Sequence, residues 1–337
     1  MKKLYFPILF IIFLASWSCS SGGDKNGPSR QAEPVLIKDG FGYPSVAYRD
    51  GIYYLTGQGA DIRIYKSADI DSLGSAPPVT VWEGPANDMH NIWAPFLMNM
   101  DGKWYVYFEA DDGLNTDDHE LYVIENPSAD PTEGEWTLHG PIITGADWNF
   151  GIHPSSFIIG GKQYLVWSGW ENRRTETETQ CLFIAEMENP WTLRSPRVMI
   201  SRPEKEWERQ WINPDGTRSA YPIFVNENPE AIVSPDGKKV SIAYSASGIW
   251  TLYATLGMLT ADAGSNLLDP ASWTKSEEPL RLQQGEEPMT SISNISTLQT
   301  SDGKNLLFYQ ERDDTGGSKV YVKEFGWNPD GTPSLGL

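Results

Sequence analysis

A tight-turn signal followed by a strand-like run recurs five times along the chain. Each signal is a Gly preceded by Asp or Gly, a pair that supplies the positive φ angles of tight hairpins. The five pairs are Asp50-Gly51, Asp101-Gly102, Gly160-Gly161, Asp236-Gly237 and Asp302-Gly303. Aromatic and β-branched residues dominate the runs around each pair, and long helical periodicity is absent. The pattern therefore predicts an all-β fold.

The repeat unit is long enough for about four strands, at roughly 60 residues per unit. A tryptophan is expected to open the fourth strand of each unit: Trp82, Trp136, Trp191, Trp273 and Trp327. Five such units predict a five-bladed β-propeller with long loops. A β-sandwich with irregular turns is the alternative, and the five-fold recurrence makes it the weaker one.

Residues 1–18 have the order of an export signal. Lys2 and Lys3 form a basic start, and the apolar run at 4–15 is too short for a stable membrane span. Ser18 before Cys19 resembles a bacterial lipobox, which implies that Cys19 is lipidated and becomes the first mature residue. An ordinary cleaved signal with an incidental cysteine is the alternative.

The rest of the chain is predicted to be a polar tether over residues 19–33 and one propeller domain over 34–337, because the tether composition cannot bury a core. We expect an extracytoplasmic protein on the outer membrane, in the periplasm or at the cell surface. Its membrane contact is expected only through the lipid, and its domain is expected to be a monomer.

Charge and aromatic content narrow the class of ligand. The 26 Lys and Arg face 45 Asp and Glu, a net charge of −19, which disfavours nucleic acid because phosphates need basic partners. The 14 Trp suit sugar rings where exposed, although a single Trp is more often part of the core. Cys181 lies in an apolar run and is predicted to be a small core residue without a disulfide.

A proline marks the start of most innermost strands, since it lacks a ladder donor. Pro44, Pro95, Pro154 and Pro229 lie seven or eight residues before a hairpin Gly. The repeat register then places these residues near the axis: Tyr43, Ala94, His153, Asn228 with Glu227, and Asn294.

Several longer stretches resemble glycoside hydrolases of family 43, and most closely their exo-α-L-arabinofuranosidase branch. They include Asn91-Ile92-Trp93-Ala94-Pro95, Trp167-Ser168-Gly169-Trp170-Glu171 and Tyr244-Ser245-Ala246-Ser247-Gly248. The resemblance extends from about residue 34 to near the end. It implies a five-bladed propeller that acts on oligo- or polysaccharides containing arabinose or xylose. No cofactor is implied, apart from a central calcium that a fifth-blade His supports in the family.

The family inverts the anomeric centre with one carboxylic acid and one carboxylate. The resemblance places the general acid at Glu227, within Asn226-Glu227-Asn228-Pro229. Tyr43 stands at the position of the base, His153 at that of the Asp that tunes the acid's pKa, and Asn294 at that of the fifth-blade His. We further predict sugar contacts at Trp93, Trp148, Asn228 and Asn294.

These departures leave two functions open. One is a family-43-like glycosidase with impaired catalysis, and the other is a non-catalytic glycan-binding lipoprotein on the same scaffold. Asp39 or Asp147 would be substitutes for the base, although each is more typical of a solvated loop. His153 is either a neutral base or a hydrogen-bond donor, and Tyr43 is expected to contact sugar rather than to act as a nucleophile.

No metal site is predicted from the sequence. His90, His119 and His139 lack metal-ligand spacing and are expected to be surface or supporting residues. The acidic segment 111–118 is expected to be a solvated loop, because it lacks the alternating ligands of a calcium loop.

Overall fold

The computed structural model describes residues 33–173, 178–212, 218–281, 290–313 and 315–337, without the side chains of 147, 178, 210–212 and 218–222. The predicted export signal, most of the predicted tether and Cys19 lie outside these ranges. Within them, no helix is long and apolar enough to cross a membrane. The first strand, β1 (Val35–Asp39), pairs only with a strand near the C-terminus.

The first two blades are antiparallel sheets of four consecutive strands. Blade 1 consists of β2 (Ser45–Arg49), β3 (Ile52–Thr56), β4 (Ile62–Ser67) and β5 (Val79–Trp82). Blade 2 consists of β6 (Phe96–Met100), β7 (Lys103–Ala110), β8 (Glu120–Asn126) and β9 (Thr137–Ile142). The hairpins at 50–51 and 101–102 have positive φ at both residues, as the sequence predicts.

Blades 3 and 4 are joined into one larger sheet. Blade 3 consists of β10 (Ile152–Ile159), β11 (Lys162–Gly169), β12 (Glu178–Asn189), β13 (Thr192–Leu193) and β14 (Val198–Ser201). Blade 4 consists of β15 (Arg209–Ile212), β16 (Arg218–Val233), β17 (Lys239–Ala246), β18 (Thr255–Asp262) and β19 (Thr274–Lys275). A short parallel pairing of β12 with β16 connects them.

The last blade is completed by the beginning of the chain. It consists of β20 (Ser291–Gln299), β21 (Asn305–Arg312) and β22 (Ser318–Glu324), with β1 as its fourth strand. The sequence expectation for Trp327 is therefore wrong, since Trp327 lies in the separate pair β23 (Gly326–Trp327) and β24 (Pro333–Ser334). Trp82 ends its strand rather than opening it.

Within the described ranges, six short 3-10 helices occupy the connections. They are Ile70–Ser75, Pro85–Asn87, Thr116–Asp118, Asp147–Asn149, Glu206–Glu208 and Pro270–Ser272. The third and fourth lie near the end of the axis where the candidate site forms. The described chain is thus an all-β, five-bladed propeller.

Five buried apolar clusters lie between successive blades and close the ring. In β7, Trp104, Val106 and Phe108 pack toward blade 1, whereas Tyr105 and Tyr107 pack toward blade 3, as the two-residue period of a strand requires. Similar clusters join blades 3 and 4, 4 and 5, and 5 and 1. Cys181 is buried in the cluster between blades 2 and 3, which confirms its core role.

Candidate functional site

The inner strands distort where they reach the axis. Tyr43, His153, Asn228 and Asn294 have φ of 53°, 54°, 50° and 47°, in the left-handed region that non-Gly residues rarely adopt. In β10, β16 and β20 the strand register shifts at the same place, which marks a bulge. The repeat register therefore identified equivalent positions, and the bulges turn their side chains toward the axis.

A cavity of about 330 Å³ opens at this end of the axis. Four residues singled out from the sequence line it together: Tyr43, Trp93, His153 and Glu227. The wall residues that were not predicted include Gln58, Phe150, Trp170, Gln180 and Trp250. These come from loops and middle strands, whose approach to the axis has no local sequence signal.

Glu227 is fully buried at the cavity wall. Its Oε1 accepts the backbone N–H of Ile249 at 2.9 Å, and its Oε2 lies 3.7 Å from His153 Nδ1. Burial raises the pKa of Glu227 to about 8, although the hydrogen bond from Ile249 opposes this shift. Burial therefore favours the protonated carboxyl, which is the form a general acid requires.

A second buried carboxyl, Glu109, lies on the other side of His153. Its Oε1 accepts the Ala94 N–H at 3.0 Å and lies 3.8 Å from His153 Nε2. Burial raises the pKa of Glu109 to about 8, against hydrogen bonds from backbone groups including those of His153 and Ala94. The two carboxyl groups flank one imidazole and so are at most about 10 Å apart, compatible with the spacing in inverting glycosidases.

Sequence reasoning missed Glu109, although a signal was present. The residue ends the buried aromatic run of β7, whose residues 104–108 are all apolar. A charged residue at the end of such a run is costly to bury without a purpose.

His153 and Tyr43 meet at the centre of the site. Burial, followed by the charge of His119, lowers the pKa of His153 to about 3, so its imidazole is neutral. The Tyr43 ring lies 5.5 Å from the His153 ring, and burial, Glu227 and Glu109 all raise the pKa of its phenol. A neutral phenol suits hydrogen bonding to a sugar better than nucleophilic attack.

Aromatic rings form the walls of the cavity. Phe150 and Trp170 stack at 3.7 Å with an interplanar angle of 7°, and Trp250 is 46% exposed. The Trp93 ring lies 4.1 Å from the ring of His119, which is fully buried. Such faces suit the apolar sides of a sugar ring. Of the two expectations for His119, its burial against Trp93 fits a supporting residue and not a surface residue.

Asn228 and Asn294 lie deeper than the main cavity. With Ala94 they line a second cavity of about 40 Å³, to which Tyr43 and His153 also contribute. Asn294 Nδ2 donates to Gln310 Oε1 at 2.8 Å, and Gln310 Oε1 also accepts the Tyr43 backbone N–H. Asn294 therefore supports Tyr43 from below, and the expectation of one common cavity holds only for the other four residues.

The deeper cavity does not fit a calcium ion. Calcium takes six to eight oxygen ligands, and Glu230, the carboxyl at this level, accepts hydrogen bonds from Thr297. No cluster of three His, Cys, Asp or Glu side chains suited to a metal occurs in the described ranges. We therefore derive no step through a metal.

Other sequence candidates lie elsewhere. Asp39 is exposed on the outer strand β1 and accepts the Gly40 N–H, so it cannot replace the base. The Asp147 side chain is outside the described residues. Trp148 is 55% exposed, donates to Asp118, and is not among the residues lining the main cavity.

The acidic segment is not uniformly solvated. Asp111 is buried and accepts hydrogen bonds from the Asn91 side chain and the Gly113 N–H. Asp117 lines the main cavity. Residues 112–116 are exposed, as expected of a solvated loop, so the departures from that expectation are the buried Asp111 and the cavity-lining Asp117.

Known proteins resemble this chain across the propeller. The family model for glycosyl hydrolases family 43 matches residues 33–333. An extracellular exo-alpha-(1->5)-L-arabinofuranosidase of Streptomyces avermitilis is 33% identical over 91% of this chain and 62% of its own length. A relative of the same description from Streptomyces chartreusis is 34% identical, over 79% of this chain and 77% of its own length.

Solved structures agree in fold. An alpha-L-arabinofuranosidase from Lactobacillus brevis has a TM-score of 0.77 at 30% identity and covers 89% of this chain and 94% of its own. An endo-arabinase from Bacteroides thetaiotaomicron has a TM-score of 0.65 at 14% identity, covers 88% and 99%, and supports the fold alone. This chain spans about 62% of the length of the Streptomyces avermitilis relative.

Proposed function

Because the chain belongs to the glycosyl hydrolases of family 43, we propose that its axial cavity takes the terminal sugar of an arabinose- or xylose-containing glycan. Glu227 is the general acid of this proposed reaction. The observation that carries the proposal is a fully buried carboxyl, whose pKa burial raises to about 8, in a cavity with stacked aromatic walls. Hydrolysis is proposed to be far slower than in a relative with an intact base, since a base contributes about 10²–10⁴-fold.

A groove beside the cavity could bind the remaining sugars of the glycan. This groove of about 530 Å³ shares Gln58 and Trp93 with the main cavity and continues along Phe41 and His90. One sugar in the cavity and further sugars in the groove would match an enzyme or a binding protein that recognises chain ends. The Streptomyces relatives are described as exo-acting on α-1,5-linked arabinofuranose, which makes such chains the first ligands to test.

The second candidate function is glycan binding without turnover. It is favoured by Tyr43 and His153, which stand where the family has its base and its second Asp. Aromatic and hydrogen-bonding groups remain at the cavity, so affinity survives the loss of those carboxylates.

An aryl α-L-arabinofuranoside and arabino-oligosaccharides test both candidates. We expect slow turnover by the unchanged protein and at least a hundredfold loss in Glu227→Gln, with oligosaccharide affinity retained within about tenfold. Glu230→Gln is the matched control, because Glu230 is also buried but accepts hydrogen bonds from Thr297. Binding without turnover would establish the second function, and robust turnover insensitive to Glu227→Gln would contradict our placement of the active site.

The lipid anchor is proposed from the sequence order before Cys19, and the extracellular relatives support an extracytoplasmic location. Mass spectrometry of protein extracted from membranes is expected to show a lipidated Cys19 at the N-terminus. A Cys19→Ser variant is expected to lose the lipid and the membrane association. An unlipidated N-terminus elsewhere would reject the anchor.

The propeller domain is also proposed to be a monomer. Sedimentation of the chain without its lipid is expected to give the mass of one copy, and a larger mass would reject this.

A further inference from the structure

Glu109 has no role in the proposed reaction, yet its ionisable side chain is buried at a cost in free energy. The side chain is fully buried at the end of β7, and it is not among the residues that line the main cavity. Its Oε1 accepts the Ala94 N–H, and backbone groups of His153 and of Glu109 itself also favour the carboxylate. Its Oε2 has no hydrogen-bond partner among the described residues. A carboxyl buried in this way is destabilising, so its contact with His153 is the feature to explain.

His153 links Glu109 to Glu227 through opposite ring nitrogens. Nε2 lies 3.8 Å from Glu109 Oε1, and Nδ1 lies 3.7 Å from Glu227 Oε2. Neither nitrogen makes a hydrogen bond within the described part of the chain. Both distances exceed the hydrogen-bond range by about half an ångström, and catalytic hydrogen bonds are often long in an empty site and tighten when it is filled.

A neutral imidazole carries one N–H, so its two nitrogens present opposite properties. When the proton is on Nε2, it faces Glu109, and the Nδ1 lone pair then favours a protonated Glu227. When the proton is on Nδ1, it faces Glu227 and favours the carboxylate there. Each tautomer therefore couples an ionised carboxyl on one side to a protonated carboxyl on the other.

We propose that Glu109 is a positioning residue that sets, through the tautomer of His153, whether Glu227 holds its proton. Glu109, His153 and Glu227 then form one array in which the two carboxyls titrate together. The effect on turnover rests on the proposed role of Glu227 as the general acid, whereas the array itself is independent of any substrate.

The surroundings of the array are compatible with this coupling. Burial raises the pKa of both carboxyls to about 8 and lowers that of His153 to about 3, so protons reside on the carboxyls and not as a second proton on the ring. Three other described groups face the array: Tyr43, His119 and Arg312. His119 lowers the pKa of His153 electrostatically, and Arg312 lowers the pKa of the Tyr43 phenol.

Glu109→Gln tests the coupling without substrate. The amide keeps an oxygen for the Ala94 N–H but removes the ionisation and the charge. In protein labelled with ¹³C at Glu carboxyls and ¹⁵N at His, we expect the apparent pKa of Glu227 to fall by at least about half a unit, because a like charge is lost. The ¹⁵N shifts of His153 should also change their dependence on pH, and Glu227→Gln assigns the Glu227 signal.

Glu230→Gln is the matched control. Glu230 is on the same strand as Glu227 and has a pKa raised to about 8 by burial, but it is bonded to Thr297. This variant should leave the His153 shifts and the Glu227 titration unchanged. An identical Glu227 titration and identical His153 shifts in the unchanged protein and in folded Glu109→Gln would overturn the proposal.

If Glu109→Gln does not fold, His153→Asn provides a second test. His153→Asn removes the linking ring, and the Glu109 and Glu227 signals should then titrate independently; titration still coupled to the same extent would also overturn the proposal. If the array couples but no arabinoside is hydrolysed, the proposed function fails while this inference stands. With turnover, Glu109→Gln should shift the alkaline limb of kcat and leave KM within about twofold.

Discussion

At the residue scale, the site is notable for how little charge it carries at neutral pH. Burial raises the pKa of Glu109 and of Glu227 to about 8 and lowers that of His153 to about 3, because it disfavours each ionised form. The family pattern would place ionised Asp side chains at the positions of Tyr43 and His153. The cavity therefore offers aromatic faces and neutral hydrogen-bonding groups, which suit a neutral sugar.

Trp93→Ala tests the aromatic wall. Trp93 lines both the main cavity and the adjoining groove, so its loss should weaken arabino-oligosaccharide binding by about threefold to tenfold. Trp148→Ala is the comparison, because Trp148 is exposed and does not line the cavity. Calorimetry should show a smaller loss for Trp148→Ala. An equal loss of affinity in the two variants would mean that Trp148 contacts the sugar, as the sequence analysis predicts.

At the element scale, bulges in the inner strands decide which side chains reach the axis. In β16 the pairing with β17 shifts between Glu227 and Glu230, with Asn228 in the left-handed region at the shift. Without the bulge, the two-residue period of the strand would continue and these side chains would face other surfaces. The chemistry of the site thus depends on local backbone strain.

Asn228 substitutions measure that strain. Asn tolerates the left-handed region better than Ala, and Gly adopts it without cost. Asn228→Ala should lower the free energy of unfolding by about 1 kcal/mol, whereas Asn228→Gly should be neutral or stabilising. Denaturant unfolding of both variants checks this, and equal effects of Ala and Gly would refute the strain argument.

At the scale of the whole molecule, the ring closes by joining the two ends of the described chain. β1 pairs antiparallel with β22 and completes blade 5. Ile37 of β1 is buried in the cluster between blades 5 and 1, and the backbone of Gly74 approaches it so closely that a Cβ there would lie 1.8 Å from the Ile37 carbonyl oxygen. The first strand therefore holds the last blade in place.

Ile37→Ala tests this closure. Removing a buried Ile side chain should cost about 2–4 kcal/mol of unfolding free energy. Val35→Ala on the same strand is the control, since Val35 is 47% exposed and its loss should cost less than about 0.5 kcal/mol. Thermal or denaturant unfolding gives both values, and similar costs for the two variants would argue against a closing role.

The buried carboxyls also predict how stability depends on pH. Glu230 has a folded pKa of about 8, against about 4.3 when unfolded, so the folded state binds the extra proton between these values. Its stabilising contribution is therefore complete below about pH 4 and is lost as pH rises toward 8. Glu109 and Glu227 act in the same direction, whereas His153 acts oppositely only below about pH 6.5.

Between about pH 6.5 and 8, the buried carboxyls change stability without the opposing effect of His153. Unfolding free energy should fall there by up to about 1.4 kcal/mol per pH unit for each buried carboxyl. Glu230→Gln should reduce the slope of unfolding free energy against pH by the contribution of one carboxyl. Denaturant unfolding at several pH values between about 6.5 and 8 measures this slope. An unchanged slope in that variant would mean that Glu230 is ionised in the folded protein.

The sequence by itself determined the features that local chemistry controls. Asp-Gly and Gly-Gly pairs predict the hairpins, aromatic and β-branched runs predict the strands, and their five-fold recurrence predicts the number of blades. Pro44 and Pro95 directly precede β2 and β6 as predicted, whereas Pro154 and Pro229 lie inside β10 and β16, at their bulges. The repeat register still predicts that Tyr43, His153 and Glu227 share a cavity. These signals succeed because turn geometry and strand period depend on neighbouring residues.

Only the tertiary structure decided which distant groups meet. Glu109 reaches His153 because β7 packs beside β10, and β1 closes blade 5 although its partner β22 is far away in sequence. Asn294 falls to a deeper level than Glu227, and His119 is buried beneath Trp93. No local pattern records such contacts, because they arise from the packing of whole blades, and that packing also sets the burial that controls the protons of the site.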